Sequence, residues 1–171
     1  MLIIFSGLPG CGKSSISSEL AKQLNAIYLR IDTIEQTILN SGTAANTLGY
    51  FIAYAIAQDN INIGNTVITD SVNPLHLTRN TYRNIALSRG VPYLEVEVIC
   101  SDITLHQERI EKRASNIDGL QLPDWNDVIN RHYESWDRER LVIDSATLTI
   151  NQSVDKIIKA IQSDFPTYNH N

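Results

Sequence analysis

Residues 7–14 read Gly-Leu-Pro-Gly-Cys-Gly-Lys-Ser, and they constrain the fold more than any other stretch of this chain. They match the pattern G-x-x-x-x-G-K-[ST], which forms a glycine-rich loop around phosphate groups. The apolar run at residues 2–5 precedes them, as a buried parallel strand would. Apolar residues at intervals of four follow from Ile16 onward and predict a helix that opens near Lys13. The stretch therefore predicts binding of a nucleoside triphosphate.

The residues of this loop have distinct predicted tasks. Main-chain N–H groups surround the anion, and the helix N-terminus adds roughly half a positive charge. We expect Lys13 to reach the β- and γ-phosphates of ATP and the Ser14 hydroxyl to ligate Mg²⁺. A thiol near a helix N-terminus tends to have a lowered pKa, so Cys11 is either sensitive to oxidation or a tolerated small residue. The predicted nucleotide-binding residues are Gly7, Leu8, Pro9, Gly10, Cys11, Gly12, Lys13, Ser14 and Ser15.

Length and composition narrow the class of protein. A chain of 171 residues with 43% hydrophobic and 19% charged residues is expected to form a single domain over 1–171. Its 14 Lys plus Arg against 19 Asp plus Glu give a net charge of −5, which offers no electrostatic footprint for long nucleic acids. No apolar run approaches the ~18 residues of a membrane span, and Met1 leads into a strand without a secretory signal. With two cysteines in no disulfide pattern, we expect a cytoplasmic protein.

Strand and helix patterns alternate along the chain. After the first strand, apolar strand candidates lie at 27–31, 66–69, 93–100 and 141–143. After the first helix, helical patterns lie at 33–40, 44–60, 75–89, 102–114, 125–137 and 153–163. Strands rich in Ile, Val and Leu that alternate with helices predict an α/β fold, with a parallel sheet covered by helices on both faces.

Ligands of such sheets bind beyond the carboxyl ends of the strands, and several predicted strands are followed by a carboxylate. Asp70 follows the third strand in the manner of the acidic residue that holds Mg²⁺, directly or through water. Asp32 follows the second strand, where a carboxylate can accept a hydroxyl proton as the oxygen attacks in line. Capping of a helix N-terminus is the alternative role for both. Asp102 is interpreted as an N-cap, and Asp144 as a structural residue.

The chain resembles the small P-loop kinases of the nucleoside monophosphate kinase-like group. Its pattern is most similar to the predicted kinases gathered with zeta toxins, polynucleotide 5′-kinases, gluconate kinases and adenylyl-sulfate kinases. The resemblance covers most of the chain and rests on residues 7–14, 30–32, 67–73 and 109–113. It implies the P-loop NTPase fold, a three-layer sandwich around a five-stranded parallel sheet in the order 2-3-1-4-5. It also implies transfer of the γ-phosphate of ATP to a hydroxyl, with Asp32 as the acceptor-binding carboxylate and general base.

Kinases of this group also carry a lid whose arginines cover the phosphates, and here a short lid is expected at about 109–124. Arg109 and Arg113 lie at i and i+4 on one helix face, where an arginine stabilises the charge of the transferred phosphoryl group. The alternative is a solvated charged helix with a weak Glu108–Lys112 pair. The lid loop itself, residues 115–124, contains no arginine, which departs from members with longer, basic lids.

Two further arginine pairs are candidates. Arg79 and Arg83 lie at i and i+4 on the helix after Asp70, and an arginine fork suits an acceptor that bears phosphate or carboxylate. A position on a surface helix is the alternative for both. Arg131 or Arg138 is a candidate to compensate for the short lid.

The sequence therefore predicts a Mg²⁺- and ATP-dependent kinase that phosphorylates a hydroxyl of a small molecule. The predicted catalytic residues are Lys13, Asp32, Arg109 and Arg113, the metal ligands are Ser14 and Asp70, and the acceptor-binding residues are Asp32, Arg79 and Arg83. Two alternative enzymes are a polynucleotide 5′-hydroxyl kinase, which the acidic net charge disfavours, and a zeta-toxin-type nucleotide-sugar kinase. An alternative of another class is an ATP-binding switch that regulates a partner protein.

Overall fold

A computed structural model describes residues 1–166 and places a parallel sheet at the centre of the molecule. Within these residues the strands are β1 (Leu2–Ser6), β2 (Ile27–Arg30), β3 (Val67–Asp70), β4 (Tyr93–Ile99) and β5 (Leu141–Asp144). The helices are α1 (Lys13–Gln23), α2 (Ile31–Asn40), α3 (Leu48–Asn62), α4 (His76–Ser88), α5 (Ile103–Lys112), α6 (Trp125–Ile129) and α7 (Ile150–Asp164). All strand pairs are parallel in the order β2-β3-β1-β4-β5, which confirms the predicted fold. Residues 167–171 of the predicted domain lie outside the described residues.

The central strand β1 is buried on both faces because its side chains alternate between two cores. Ile3 and Phe5 pack into the core that α1 and α7 cover. Leu2 and Ile4 pack into the core on the opposite face, which α3 and α4 cover. The continuous apolar run before the glycine-rich loop follows from this double burial, and it places that loop at the middle of the sheet edge.

Helix α3 packs closely on its neighbours through small residues. Gly49, Ala53 and Ala57 recur every four residues and are buried. Residues of α3 contact β2 and β3 beneath it and the helices α2 and α4 beside it. This packing holds α2, which follows β2 directly, against the carboxyl edge of the sheet.

The helix predicted at 125–137 is wrong beyond Ile129, where α6 ends, and residues 130–140 contain neither helix nor strand. Main-chain groups there bond outside the segment instead of to each other. The Glu134 N–H donates to the Pro74 carbonyl (2.9 Å), and Arg79 Nη2 donates to the Glu134 carbonyl (2.9 Å). These long-range bonds replace the i to i+4 bonds of a helix, so tertiary contacts override the local pattern.

The same segment neutralises two carboxylates on β4. Glu95 and Glu97 are buried on one face of this strand, and both need a charged partner there. Arg138 Nη2 lies 2.6 Å from Glu95 Oε1, and Arg140 Nη2 lies 2.7 Å from Glu97 Oε2. Extended backbone places residues i and i+2 on one side, whereas a helix would separate them by about 200°. The irregular conformation therefore lets two alternate arginines reach two alternate glutamates.

The other predicted helices are confirmed, with ends that differ by a few residues. Across residues 1–166, none of the helices combines the length and the apolar character that crossing a membrane requires.

Candidate active site

The glycine-rich loop connects β1 to α1 and takes a conformation that its glycines permit. Gly7, Gly10 and Gly12 have φ values of 135°, 79° and 94°, which side-chain-bearing residues rarely adopt. A Cβ on Gly7 would also lie 2.1 Å from the Val98 carbonyl oxygen. Gly12 is the N-cap of α1 and provides no side-chain cap, so the first N–H groups of α1 find no side-chain acceptor at the cap. The arrangement is suited to binding an anion at the helix N-terminus.

Lys13 points into this loop. Its side chain is nearly buried, at 7% exposure, and its Nζ donates to the Leu8 carbonyl (2.8 Å). The same ammonium lies 3.8 Å from Cys11 Sγ. The positive charge is therefore at the centre of the loop, where the predicted phosphate contact requires it.

Cys11 differs from its predicted chemistry. Burial raises the pKa of its thiol, although nearby Lys13 acts in the opposite direction. The thiol therefore stays protonated at neutral pH, and the lowered pKa expected from its position near a helix N-terminus is not found. A protonated, buried thiol is a poor target for oxidation, which favours the interpretation of Cys11 as a tolerated small residue.

Asp70 ends β3 directly beside the loop, in register with Phe5 of β1. It is 2% exposed, accepts a hydrogen bond from the Tyr28 hydroxyl at Oδ2 (2.6 Å), and has Arg30 Nε at 3.9 Å. It does not cap α4, whose N-cap residue is Leu75. Carboxylate and hydroxyl oxygens are the ligands that Mg²⁺ prefers, and the Ser14 hydroxyl forms no hydrogen bond within residues 1–166. Ser14 and Asp70 therefore fit the metal role predicted for them.

Asp32 is the second residue of α2 and lies at the same edge of the sheet. Its side chain is 46% exposed, and Arg30 Nη2 lies 3.9 Å from its Oδ2. The capping alternative does not hold, because the N-cap residue of α2 is Arg30. A carboxylate in the first turn instead interacts favourably with the helix dipole. Asp32 therefore presents a carboxylate to solvent at the sheet edge that carries the loop, as a group that contacts an acceptor must.

Arg109 and Arg113 leave α5 toward different parts of the site. Arg109 donates to the Ser145 hydroxyl (2.8 Å) and carbonyl (3.0 Å), and Ser145 lies against Gly12. Arg113 Nη2 donates to the Pro123 carbonyl (3.1 Å), and burial lowers its pKa while Asp32 opposes that change. Arg113 therefore interacts electrostatically with Asp32, whereas Arg109 lies at the β5 side of the loop.

Arg79 and Arg83 do not join this site, which does not fit the acceptor contacts predicted for them. Arg79 is fully buried, and its guanidinium donates to the carbonyls of Asn73 (3.0 Å), Pro74 (3.2 Å) and Glu134 (2.9 Å). Arg83 Nε donates to the hydroxyl of Tyr93 (2.9 Å), the first residue of β4. That position is at the amino edge of the sheet, opposite to the loop. Sequence spacing alone could not separate these two surroundings.

Several other side chains contact the loop or Arg30, and no pattern in the sequence predicted these contacts. His106 of α5 uses Nε2 to donate to the Pro9 carbonyl (2.8 Å), and its ring contacts Trp125 edge-on, with centroids 5.3 Å apart. Ile110 packs where a Cβ on Gly10 would lie, 2.4 Å from its Cδ1. Arg30 Nη1 donates to Asn116 Oδ1 (2.8 Å) across the predicted lid. Helix α5 and the segment after it therefore brace the loop and Arg30.

Comparisons with known proteins identify relatives of this chain. A family model described as an AAA domain matches residues 2–134. A protein of Aeropyrum pernix named as a probable adenylyl-sulfate kinase is 26% identical over 179 residues, which cover 95% of this chain and 93% of that protein.

Solved structures match almost the whole chain. The APS kinase of Mycobacterium tuberculosis in complex with AMPPNP and APS superposes with a TM-score of 0.70 at 18% identity, and the match covers 94% of this chain and 96% of that one. A gluconokinase of Sinorhizobium meliloti 1021 gives a TM-score of 0.65 at 14% identity over 98% and 97% of the two chains. Because the family model spans most of the sequence, the chain belongs to the AAA-domain family, and its fold is that of the P-loop kinase-like group.

Proposed function

We propose that this protein is an ATP-dependent kinase that transfers the γ-phosphate of ATP to a hydroxyl of a small molecule. The observation that supports this most is the position of Asp32 and Arg113. Asp32 lies at the sheet edge that carries the phosphate loop and its buried Lys13, with the Arg30 guanidinium 3.9 Å away and Arg113 close enough to interact with it electrostatically. A switch that only binds and hydrolyses ATP needs the loop but has no need of a carboxylate beside it.

The chain's own residues supply the groups that in-line transfer needs. Loop N–H groups and Lys13 hold the β- and γ-phosphates, while Asp32 accepts the proton of the acceptor hydroxyl. The hydroxyl oxygen bonds to the γ-phosphorus as the bond from that phosphorus to the β,γ-bridging oxygen breaks, which leaves ADP. Arg113 neutralises charge on the transferred group, a role that Arg109 can share only after it leaves Ser145. Ser14 and Asp70 would hold Mg²⁺, which would further neutralise the phosphate charge.

The acceptor is not fixed by the relatives, because similar chains carry different names. The relative from Aeropyrum pernix suggests adenylyl sulfate, and the gluconokinase suggests a sugar acid. A polynucleotide 5′-hydroxyl kinase and a zeta-toxin-type kinase remain alternatives, although the net charge of −5 disfavours the first. Fold alone does not choose among them.

The test is ³¹P NMR of the protein with Mg-ATP and a set of hydroxyl compounds, read as a new phosphoester. We expect Asp32→Asn to lower kcat by about 10²–10⁴-fold, because it removes the proton acceptor. ATP affinity should stay within about twofold, since this side chain is not part of the loop. Asp59→Asn, an exposed change on α3, is the matched control.

Two results would contradict the proposal. The first is transfer by Asp32→Asn at the wild-type rate, which would remove Asp32 from the chemistry. The second is slow ATP turnover with no phosphoester formed and a second protein that co-purifies, which would favour the regulatory switch.

A further inference from the structure

Helix α3 buries its small residues and exposes its large apolar ones. The side that packs on the sheet and on α2 and α4 carries mainly glycine and alanine. On the outer side Phe51 is 64% exposed, and Leu48, Ile52 and Ile56 are each between 36% and 42% exposed. An amphipathic surface helix carries polar residues on its outer side, whereas a helix that is apolar all round is buried. The sequence of α3 is therefore that of a helix with a partner on both sides.

The exposed apolar residues of α3 form one continuous stripe, the α3 face. It consists of Leu48, Phe51, Ile52, Ala55 and Ile56, which helical spacing places within about 140° of the helix circumference. Its exposed area is about 400 Å², the size of the largest apolar patches on monomeric proteins, which are often functional. Each side of a stable interface buries about 800 Å², of which rather more than half is apolar. The α3 face therefore provides most of the apolar area that one side of a dimer needs.

The surroundings of the α3 face contain almost no charge. Asp59 is the one charged residue of the stretch 41–62, and neither Lys nor Arg occurs between residues 31 and 78. A helix that lies on a membrane surface carries basic residues, so a lipid surface does not fit. A partner of opposite charge would find almost no charge to pair with. The chain as a whole has a net charge of −5, so two copies repel each other least where this neutral surface meets itself.

We infer that the α3 face binds the α3 face of a second copy of this chain, with the two helices antiparallel about a twofold axis near Ile52. A twofold contact uses the same surface on both copies, as a self-complementary apolar stripe allows. The polar last turn, with Gln58, Asp59 and Asn62, then lies at the rim of the interface. Antiparallel helices hold the two Asp59 carboxylates about 20 Å apart, beyond the Debye length, whereas parallel helices would bring them together. The inference is independent of the proposed kinase activity.

Sedimentation equilibrium of the full chain tests the association directly. We expect a reversible dimer that forms between about 1 and 100 µM, as an interface of this size typically gives. Phe51→Glu should raise the dissociation constant of the dimer by at least about 100-fold, because the twofold axis would bury two unpaired carboxylates. Ile103→Glu, a change at a 70% exposed position on α5, is the matched control and should leave the constant within about twofold.

Two measurements separate loss of the dimer from loss of the fold. Phe51 points mainly to solvent, so Phe51→Glu should keep the far-UV circular dichroism of the wild-type protein and its rise in Tm with saturating ATP. Phe51→Ser removes the ring without adding a charge and should raise the dissociation constant by about 10-fold or more. An intact fold in both variants assigns the change in association to the α3 face.

Cross-linking tests the orientation of the helices. Antiparallel packing brings position 52 of the two copies within reach of a disulfide, because packed helix axes lie only about 8–10 Å apart. With Cys100→Ser as the background, oxidation of Ile52→Cys by copper phenanthroline should give a covalent dimer, and Asp59→Cys should give none. Cross-linking through position 59 instead of position 52 would overturn the antiparallel arrangement.

Three results would overturn the inference as a whole. The first is a wild-type protein that stays monomeric up to about 100 µM. The second is a dimer that Phe51→Glu does not weaken, which would place the interface elsewhere. The third is a monomer that binds a different protein and loses this binding in Phe51→Glu, which would give the α3 face another occupant.

Discussion

Lys13 keeps its ammonium inside the phosphate loop by donating to the Leu8 carbonyl. A bound γ-phosphate would replace this neutral acceptor by a charged one, and charge-assisted hydrogen bonds are roughly twice as strong as neutral ones. The exchange requires no movement of the helix that carries Lys13, because the side chain already lies within the loop. The loop is therefore organised for a phosphate by its own backbone and by one internal hydrogen bond.

We expect Lys13→Ala to lower the rate of phosphoryl transfer by about 10²–10³-fold, since it removes a preorganised positive charge. The rise in Tm that saturating ATP gives to the wild-type protein should also shrink, because ligand stabilisation follows affinity. Differential scanning fluorimetry and ³¹P NMR measure the two effects. Lys22→Ala, an exposed change on the same helix, is the control, and an equal loss in that variant would contradict the assignment.

The sequence located the carboxylates of the site but not their partners. Asp32 and Asp70 were predictable because both follow apolar strands, and strand ends in a parallel sheet meet at one edge. The Tyr28 bond to Asp70 and the His106 bond to Pro9 join residues far apart in the chain. Such contacts depend on how helices rotate against the sheet, for which the local pattern contains no signal.

Tyr82 carries a buried polar group without a partner. Its hydroxyl forms no hydrogen bond within residues 1–166, while its ring packs edge-on against Tyr54 with centroids 4.6 Å apart. We expect Tyr82→Phe to keep the ring contact and to stabilise the protein by about 1 kcal/mol, because it removes an unsatisfied hydroxyl. Urea unfolding measures the change, and a loss of stability would indicate that the hydroxyl has a partner.

Among the elements, the segment 130–140 shows how a stretch without regular structure is fixed by one side chain. The guanidinium of Arg79 lies 4.2 Å from the ring centroid of Trp136 and 4.8 Å from that of Tyr133. It also donates to carbonyls before α4 and within the segment. The predicted helix at 125–137 failed for this reason: the local pattern suggested a helix, and a buried arginine from α4 took the carbonyls that a helix would use.

We expect Arg79→Met to destabilise the protein by about 3 kcal/mol, because several buried carbonyls lose their donors. Arg83→Met, one turn later on the same helix, should change stability by less than about 1.5 kcal/mol, since this guanidinium makes a single, part-buried hydrogen bond. Denaturant unfolding of the two variants measures the difference. Full stability of Arg79→Met with a selective loss of acceptor binding would restore the role that its sequence position suggested.

For the molecule as a whole, the alternation of strand and helix patterns predicted a parallel sheet with the site at its carboxyl edge, and the family resemblance implied the order of the strands. The net negative charge of the chain did not predict which of its carboxylates would be buried. Glu95 and Glu97 lie inside, paired with Arg138 and Arg140, on a strand whose other residues read as core. A pattern of alternating charges on a strand indicates an exposed face, and only the course of a distant segment decides otherwise.

Buried tyrosines make the stability of the whole fold sensitive to alkaline pH. Burial raises the pKa of Tyr28, Tyr54 and Tyr82, and it raises the pKa of Tyr133 to about 12. An unfolded tyrosine titrates near pH 10, so above that pH the unfolded chain has lost protons that the folded chain keeps. The stability that depends on these protonated tyrosines is therefore fully present below pH 10. It is lost as the pH rises above 10, because ionisation then favours the unfolded chain.

We therefore expect the free energy of unfolding to fall steeply between pH 10 and 11, by about 1.4 kcal/mol per pH unit for each tyrosine that stays protonated in the fold. Urea unfolding at closely spaced pH values measures the slope. Tyr82→Phe should reduce the slope by the contribution of one tyrosine, about 1.4 kcal/mol per pH unit, because Tyr82 is fully buried and stays protonated in the fold. Equal slopes for the wild-type protein and Tyr82→Phe would mean that Tyr82 ionises in the folded state, which its burial in the core beneath α3 and α4 argues against.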